Sequence, residues 1–378
     1  MKIIIIGTAY PLRGGIAHFN ALLAEHLSEK HSVETITFKR QYPGIFFPGK
    51  TQEEQGELQG ITPAPQLVDS VNPLNWASVG LRVKHKRPDL VIFKYWLPFF
   101  GPCFGTIASI VKQNPATKVL YICDNVIPHE RRPGDVLFTR FAFKRADYFI
   151  VQSNAVEREL LEYFPDAKYR KVPHPVYEIF GTPVPKNTAR EKLGIRSKRV
   201  ILCFGYVRAY KGLLLLIEAM KLLRENFGPG EEILLLAVGE FYDDEKKYRD
   251  RVKELGLEDV VRFVADYVPN DQVADYFSAA DVVVLPYLSA TQSGIAQIAY
   301  NFDKPLVVTD VGGLSEIVID NVTGYVVPPN NPGEIAHALI RFYREGRESA
   351  FSAAAREEKK KYSWDHFVRS IEDLVGGK

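Results

Sequence analysis

The loop at residues 205–212 carries two cations beside glycines. Arg208 and Lys211 stand three residues apart between Gly205 and Gly212, and the loop follows the apolar run 200–204. A guanidinium offers a fork of donors and an ammonium offers a point charge, and both suit a diphosphate. Cations at a helix start are electrostatically misplaced, and a bound anion removes that conflict. We predict that Arg208 and Lys211 are catalytic, because they would stabilise a departing nucleoside diphosphate. A solvated charge pair is the alternative.

A second glycine loop precedes the first predicted helix. Gly14 and Gly15 end the loop that follows the apolar run 2–6, and backbone N–H groups at a helix start bind anions. The spacing departs from GxGxxG, and the second predicted strand runs into Phe38, Lys39 and Arg40 rather than an acidic residue. The loop therefore disfavours NAD and favours phosphate. A turn that needs positive φ is the alternative.

Two further loops offer hydroxyl, amide and imidazole groups. Residues 286–294 supply hydroxyls and an amide ahead of a helix, and an ordinary helix cap is the alternative interpretation. In the loop after the run 118–122, His129 is a further candidate catalytic residue, because it could donate to a sugar hydroxyl or hold an acceptor. The alternative is a structural role, which is more common for a lone histidine. His174, in a proline-rich stretch, is interpreted as structural. The candidate substrate-binding residues of these loops are Asp124, Asn125, Thr291, Ser293, Gly294 and Gln297.

Composition places these loops in an ordinary intracellular protein. The net charge of +2 gives no support for nucleic-acid binding. Cys103, Cys123 and Cys203 are far apart and form no CxxC pair, which argues against disulfides and thiolate metal sites. The apolar run near the start is too short for a signal peptide, and no run is long enough to span a membrane. We expect a cytoplasmic protein without a metal site.

The elements that must position the loops alternate between strands and helices. The chain of 378 residues is long enough for two domains. Strand and helix patterns alternate up to residue 151 and start again at residue 200, which predicts two Rossmann-like α/β domains with parallel sheets. The proline-rich stretch 173–187 marks the boundary. We predict an acceptor domain at 1–180 and a nucleotide-sugar domain at 190–362, with the helix in 363–378 packing back on the first.

Five stretches of the sequence resemble the motifs of a known family. They are the glycine loop around Gly14 and Gly15, the cationic loop 204–213, the strand 281–286, and the segments 304–318 and 321–328. They resemble those of the GT-B-fold retaining glycosyltransferases of family 4, also called group 1. The resemblance covers nearly the whole chain and is most specific over residues 200–330.

The resemblance implies a function and roles for residues. It implies two domains that face each other across a cleft, and a hexosyltransferase that uses a UDP- or GDP-sugar. The acceptor would be a glycan or a lipid-linked molecule, in cell-surface polysaccharide synthesis, and no metal or cofactor would be needed. By this resemblance Arg208 and Lys211 hold the diphosphate, Gly14 and Gly15 approach the phosphate or sugar, and Tyr267 with Val268 borders the base.

The chain departs from the family at three places. Tyr206 stands where the family has an arginine. The family's two glutamates match Thr291 and Ala299, or Ile298 if a gap intervenes. Gln297 could replace the ribose contact, and Thr291 or Ser293 the sugar contact. The family's first-domain histidine falls at Asp124 or Asn125. These departures keep two alternatives open, a non-catalytic nucleotide- or sugar-binding relative and a nucleotide-sugar epimerase of the same fold.

Basic and aromatic stretches of the first domain suggest a peripheral membrane contact. Cations beside exposed aromatics are attracted to an anionic bilayer, here its inner face. Solvated charged faces and core aromatics are the alternative. The stretches are 84–87, Arg131 with Arg132, Lys144 with Arg145, Phe46 with Phe47, and 96–104.

Overall fold

The computed structural model describes residues 1–43, 51–54, 62–127, 132–228 and 232–377. The chain forms two compact units. The first combines Met1–Pro175 with Ser363–Lys378, and the second is Val176–Tyr362. The backbone N–H of Val176 donates to the carbonyl of Tyr362 at 3.0 Å, so the second unit begins and ends at one place.

The first unit is a seven-stranded parallel sheet with helices between the strands. The strand order is β3-β2-β1-β4-β5-β6-β7. Ile3, Ile4, Ile5 and Ile6 of the first strand are fully buried, as expected for a strand covered on both faces. The strands are β1 (Lys2–Ile6), β2 (Ser32–Arg40), β3 (Gln66–Asp69), β4 (Leu90–Tyr95), β5 (Lys118–Cys123), β6 (Tyr148–Val151) and β7 (Tyr169–Lys171). The helices are α1 (Gly15–Ser28), α2 (Pro73–His85), α3 (Gly101–Val111), α4 (Asp135–Phe143), α5 (Asn154–Tyr163) and, from the distal segment, α13 (Trp364–Gly376).

The second unit repeats this plan with six parallel strands. Their order is β10-β9-β8-β11-β12-β13. The strands are β8 (Arg199–Phe204), β9 (Ile233–Val238), β10 (Val261–Val264), β11 (Val282–Leu285), β12 (Leu306–Thr309) and β13 (Gly324–Val327). The helices are α6 (Lys186–Lys192), α7 (Leu213–Phe227), α8 (Glu245–Glu254), α9 (Asn270–Ala279), α10 (Gly294–Asn301), α11 (Pro332–Arg344) and α12 (Glu348–Glu358). Short 3₁₀ turns cover Pro98–Phe100, Glu178–Phe180, Ala209–Lys211 and Lys359–Tyr362.

The strand orders locate the binding loops. In an open parallel sheet, ligands bind at the carboxyl ends of the strands where the order reverses direction. The reversal lies between β1 and β4 in the first unit and between β8 and β11 in the second. The cationic loop follows β8, and residues 286–294, called the hydroxyl loop below, follow β11, so both lie at the predicted position.

The distal helix α13 completes the core of the first unit. The rings of Trp364 and Phe367 lie 5.3 and 5.6 Å from the ring of Phe19 in α1. His31 Nε2 lies 2.9 Å from Glu372 Oε1 at the rim of this packing, which is hydrogen-bond distance. The amphipathic spacing of α13 thus buries one face against α1.

The predicted α/β class with two parallel sheets is confirmed, and one expectation about exposure is wrong. Trp96, Phe100 and Phe104 were expected to be exposed, but they are buried and pack on one another and on Phe38. Phe99, from the same stretch, is 37% exposed. Within the described residues, the structure contains no helix with the length and apolar character needed to cross a membrane.

Candidate active site

The loops after β8 and β11 are packed directly against each other. Gly212 has φ +69, and a Cβ at this position would overlap the carbonyl oxygen of Pro286. The N–H of Leu288 donates to the carbonyl of Tyr210 at 2.7 Å. Only a glycine fits this close approach at positive φ. The structure therefore brings together two loops that the sequence had singled out separately.

Lys211 contributes a partly buried ammonium to this site. A Cβ added at Gly205 would stand 3.2 Å from Lys211 Nζ. Lys211 Nζ lies 5.7 Å from the ring centroid of Tyr287. No carboxylate of the described residues pairs with it. Burial, together with the smaller effect of the nearby Arg208 charge, lowers the pKa of Lys211 from 10.5 to about 8. A partly dehydrated cation with no counter-ion is a site for an anion.

Arg208 lies on the exposed side of the same loop. Its guanidinium is 5.1 Å from the ring centroid of Tyr242, and that ring stacks on Tyr206 at 4.5 Å. No ion pair holds Arg208 among the residues that the structure describes. Tyr206, which stands where the family has an arginine, thus packs against Tyr242, and the Tyr242 ring contacts the guanidinium of Arg208. The fork of Arg208 keeps its donors for a ligand.

The start of α10 carries the candidate sugar-binding residues. Ser293 is the N-cap residue of α10, but its side chain makes no capping hydrogen bond, so the ordinary-cap interpretation is wrong here. Its Oγ instead lies 3.4 Å from the hydroxyl of Tyr287. A Cβ at Gly294 would stand 3.0 Å from the ring of Tyr177, and Thr291 is partly buried in the preceding loop.

Gln297 stands out within α10 because its amide is buried and unpaired. The residue has no exposed surface, and neither Nε2 nor Oε1 has a hydrogen-bond partner among the described residues. A buried amide without partners costs about 1–3 kcal/mol, so such groups in native proteins call for an explanation. A ligand would reach this amide only where neighbouring side chains move to uncover it.

Other predicted residues lie at the same edge of the second sheet. Tyr267 and Val268 lie in the loop between β10 and α9, where Val268 is buried. The sequence analysis missed Glu240, which is 4% exposed in the loop after β9. That loop touches the cationic loop, because a Cβ at Gly239 would overlap the carbonyl of Gly205. The sequence feature that could have identified Glu240 is its position two residues after the apolar run of β9, the strand that neighbours β8.

In the first unit, the structure gives Asp124 a buried partner. Lys94 Nζ donates to Asp124 Oδ1 at 2.6 Å and to Gln152 Oε1 at 3.2 Å, and Lys94 is 1% exposed. Burial lowers the pKa of His174 to about 3, and the charge of Lys94 adds to that effect. The imidazole of His174 is therefore neutral, and its Nδ1 donates to the Pro175 carbonyl at 2.8 Å.

Of the other candidates in the first unit, Asn125, Gly14 and Gly15 are described by the structure, whereas His129 is not. Asn125 Nδ2 donates to the Trp96 carbonyl at 3.2 Å. Gly14 is the N-cap residue of α1 and has φ +107, as the alternative interpretation of a turn at positive φ requires. Gly15 is the first residue of the helix. His129, Phe46, Phe47 and Arg131 lie outside the described residues. Across the part of the chain that the structure describes, no three His, Cys, Asp or Glu side chains converge to hold a metal.

Comparisons with known proteins support the resemblance to the group 1 glycosyltransferases. Residues 185–362 match the model of the glycosyl transferases of group 1. A D-inositol 3-phosphate glycosyltransferase of Kribbella flavida is 28% identical over 297 residues, which are 73% of this chain and 68% of that protein. Alignments with two further proteins of that name cover 55% and 65% of their lengths.

Solved structures share the fold at low identity. HepE from Anabaena, solved in complex with UDP, is 17% identical with a TM-score of 0.77, and the match covers 100% of both chains. Sucrose-phosphate synthase from Thermosynechococcus elongatus is 20% identical with a TM-score of 0.75, covering 100% of this chain and 99% of that one. These likenesses confirm the predicted GT-B fold, and the match over residues 185–362 bears out the resemblance to the group 1 glycosyltransferases.

Proposed function

The chain is a glycosyltransferase of group 1 with the GT-B fold, and on that premise we propose the reaction that it catalyses. It transfers a hexose from a UDP- or GDP-sugar to a glycan or lipid-linked acceptor, with retention of the anomeric configuration, as the resemblance to family 4 implies. The pathway would be cell-surface polysaccharide synthesis on the cytoplasmic side of the membrane.

The ammonium of Lys211 carries this proposal. It lies at the carboxyl end of β8 without a carboxylate partner among the described residues, and burial has lowered its pKa to about 8. A leaving nucleoside diphosphate gains negative charge as the sugar departs, and preorganised cations stabilise that charge most where water is excluded. With Arg208 alongside, the loop supplies two positive charges, so the proposal needs no metal or cofactor.

The remaining candidates receive roles around this diphosphate site. Ser293 and Thr291 would contact the donor sugar, and Gln297 the ribose, through the unpaired amide. The base would lie against Tyr267 and Val268. HepE was solved with UDP, which supports UDP as the first nucleotide to test.

The acceptor would be held by the first unit. The buried contact with Lys94 holds the Asp124 side chain in one position, where its second carboxylate oxygen could accept from a sugar hydroxyl. Asn125 and His129 would join it, and Gly14 with Gly15 would approach the phosphate or sugar.

The first experiment is a thermal-shift screen with UDP, GDP, ADP, TDP and UMP. A ligand at one hundred times its dissociation constant stabilises the folded state by about 2.7 kcal/mol, which is several degrees for a unit of this size. We expect one diphosphate to raise Tm, and Lys211→Ala to abolish that shift. Lys221→Ala, which removes a lysine 48% exposed in α7, is the control and should keep the shift. A shift that survives in Lys211→Ala would refute the assigned site.

A second candidate function rests on the non-acidic residues at positions 291 and 299. Without acidic residues at Thr291 and Ala299, a non-catalytic nucleotide-binding relative would still bind a diphosphate. The two functions separate when the protein that binds a UDP- or GDP-sugar is assayed for release of free nucleoside diphosphate. Binding without any release, with and without glycan acceptors, would favour the non-catalytic relative.

A further inference from the structure

The outer face of α4 exposes large apolar side chains. Leu137 is 68% exposed, Phe138 is 38% exposed and Phe141 is 42% exposed. Leu137 and Phe141 are four residues apart on the helix, so their side chains are neighbours on one surface. Thr139, Ala142 and Phe143, on the other side of the helix, are buried. We call this surface of Leu137, Phe138 and Phe141 the α4 patch.

Close packing on α3 keeps the patch outside the core. A Cβ at Gly101 would overlap the carbonyl oxygen of Phe138, and a Cβ at Gly105 would stand 2.5 Å from the Phe141 ring. The two glycines let α4 lie close against α3, so Phe138 and Phe141 border the α3 contact while they stay 38% and 42% exposed. Phe99, 37% exposed in the 3₁₀ turn that packs on α4, adds another aromatic ring at this side of the unit.

Four exposed cations flank the patch, and none has an ion-pair partner among the described residues. They are Arg132, Arg140, Lys144 and Arg145. Other cations of this unit do have partners, as Lys112 does at 2.8 Å from Asp147. The one acid of α4, Asp135, is buried and accepts from the backbone N–H of Arg132. The surface therefore combines apolar rings with uncompensated positive charge.

We infer that the α4 patch docks on the surface of an anionic lipid bilayer. Apolar side chains on one face of a helix enter the boundary between headgroups and acyl chains, while flanking cations attract anionic phosphates. A second copy of the chain fits less well, because four cations would meet four cations. The inference moves the expected membrane contact from residues 96–104, which are mostly buried, to α4. It depends on no step of glycosyl transfer.

The test is co-flotation of the full chain with vesicles. Neutral phosphatidylcholine vesicles are compared with vesicles containing about 30 mol% phosphatidylglycerol, at about 0.05 M and about 0.5 M salt. We expect binding to the anionic vesicles at low salt and its loss at high salt. Each cation near an anionic surface contributes roughly five-fold, so Arg140→Ala with Lys144→Ala should weaken partitioning roughly 25-fold.

Apolar and control variants complete the design. Leu137→Ser should also weaken binding, and because this side chain is mostly exposed, the variant should stay folded. Lys246→Ala with Lys253→Ala removes two exposed cations from α8, and Leu222→Ser removes an exposed leucine from α7; both should bind vesicles as the parent does.

The outcomes separate this inference from the proposed reaction. Absence of binding to anionic vesicles, or equal losses in test and control variants, would overturn the inference. So would a dimer in solution that Leu137→Ser dissociates while vesicles stay unbound. The nucleotide-induced thermal shift should be unchanged in the α4 variants, so failure here leaves the diphosphate site standing.

Discussion

The buried charge of Lys211 lowers the stability of the ligand-free protein, although the same charge is expected to bind the ligand. The variant Lys211→Met should separate these two effects. The substitution keeps an unbranched apolar side chain and removes the charge. A pKa lowered from 10.5 to about 8 means that burial of the charged form costs the folded state at most about 3 kcal/mol. Because the side chain is partly exposed, solvent screens the charge and we expect about 1–2 kcal/mol. Without ligand, Lys211→Met should therefore raise Tm by about 2–8 °C.

The sign of the pH dependence follows from the same shift. The pKa of Lys211 is lower in the folded than in the unfolded chain, so the unfolded chain holds the proton more tightly between about pH 8 and 10.5. Over that range the free energy of unfolding of the parent protein rises with pH. The advantage of Lys211→Met should be complete below pH 8 and should shrink toward pH 10. Calorimetry of the ligand-free proteins at about pH 7 and pH 9.5 measures this difference.

Lys304 provides the matched control. Burial also lowers its pKa to about 8, but its Nζ donates to the carbonyls of Ser278 and Ala280 at 3.2 and 2.8 Å. Lys304→Met removes both hydrogen bonds and should lower Tm. If Lys211→Met lowered Tm in the same way, or kept its UDP-induced shift, then Lys211 would be a structural lysine and the reasoning would be wrong.

Three further predictions test the site and its supports. Gln297→Leu should raise the free energy of unfolding by about 1 kcal/mol without ligand, because it removes an unpaired buried amide, and should weaken nucleotide binding; calorimetry and thermal shift measure the two effects. Lys94→Met leaves the Asp124 carboxylate without its buried partner and should destabilise the protein by about 3–5 kcal/mol in urea unfolding, whereas adding Asp124→Asn should recover most of the loss. Gly312→Ala, at φ +51 with a Cβ that would overlap a carbonyl of the hydroxyl loop, should abolish the nucleotide-induced shift, whereas Gly346→Ala, at φ +61 with open space, should keep it.

The central strands and the edge strand β10 could be predicted from sequence, whereas the edge strands β3 and β7 could not. β1 and β11 are runs of isoleucine or valine, and such runs are typical of strands covered on both faces. β3 and β7 went unpredicted because they are short edge strands, and β7 has the sequence Tyr-Arg-Lys without an apolar pattern. These two strands depend on a neighbouring strand, which local sequence does not reveal.

Some residues of the candidate site could likewise be predicted from sequence, and others could not. The loops with Lys211 and Ser293 were found because glycines and polar residues follow apolar runs directly. Lys94 was missed because it lies in an apolar strand, and its role is visible only when β5 places Asp124 beside it. The exposure of Trp96 was mispredicted because an aromatic-rich stretch broken by prolines has no periodicity that separates core from surface.

The two-part construction of the first unit affects the order in which the chain can fold during synthesis. Phe19 is fully buried, and its neighbours Trp364 and Phe367 come from the distal segment. At the usual speed of a ribosome, the roughly 200 residues between these two parts take about 10–40 s to translate. The second unit, continuous in sequence, can fold in that interval. The N-terminal part would meanwhile keep an unfilled apolar groove along α1, so the unit that begins the chain is the last to be finished.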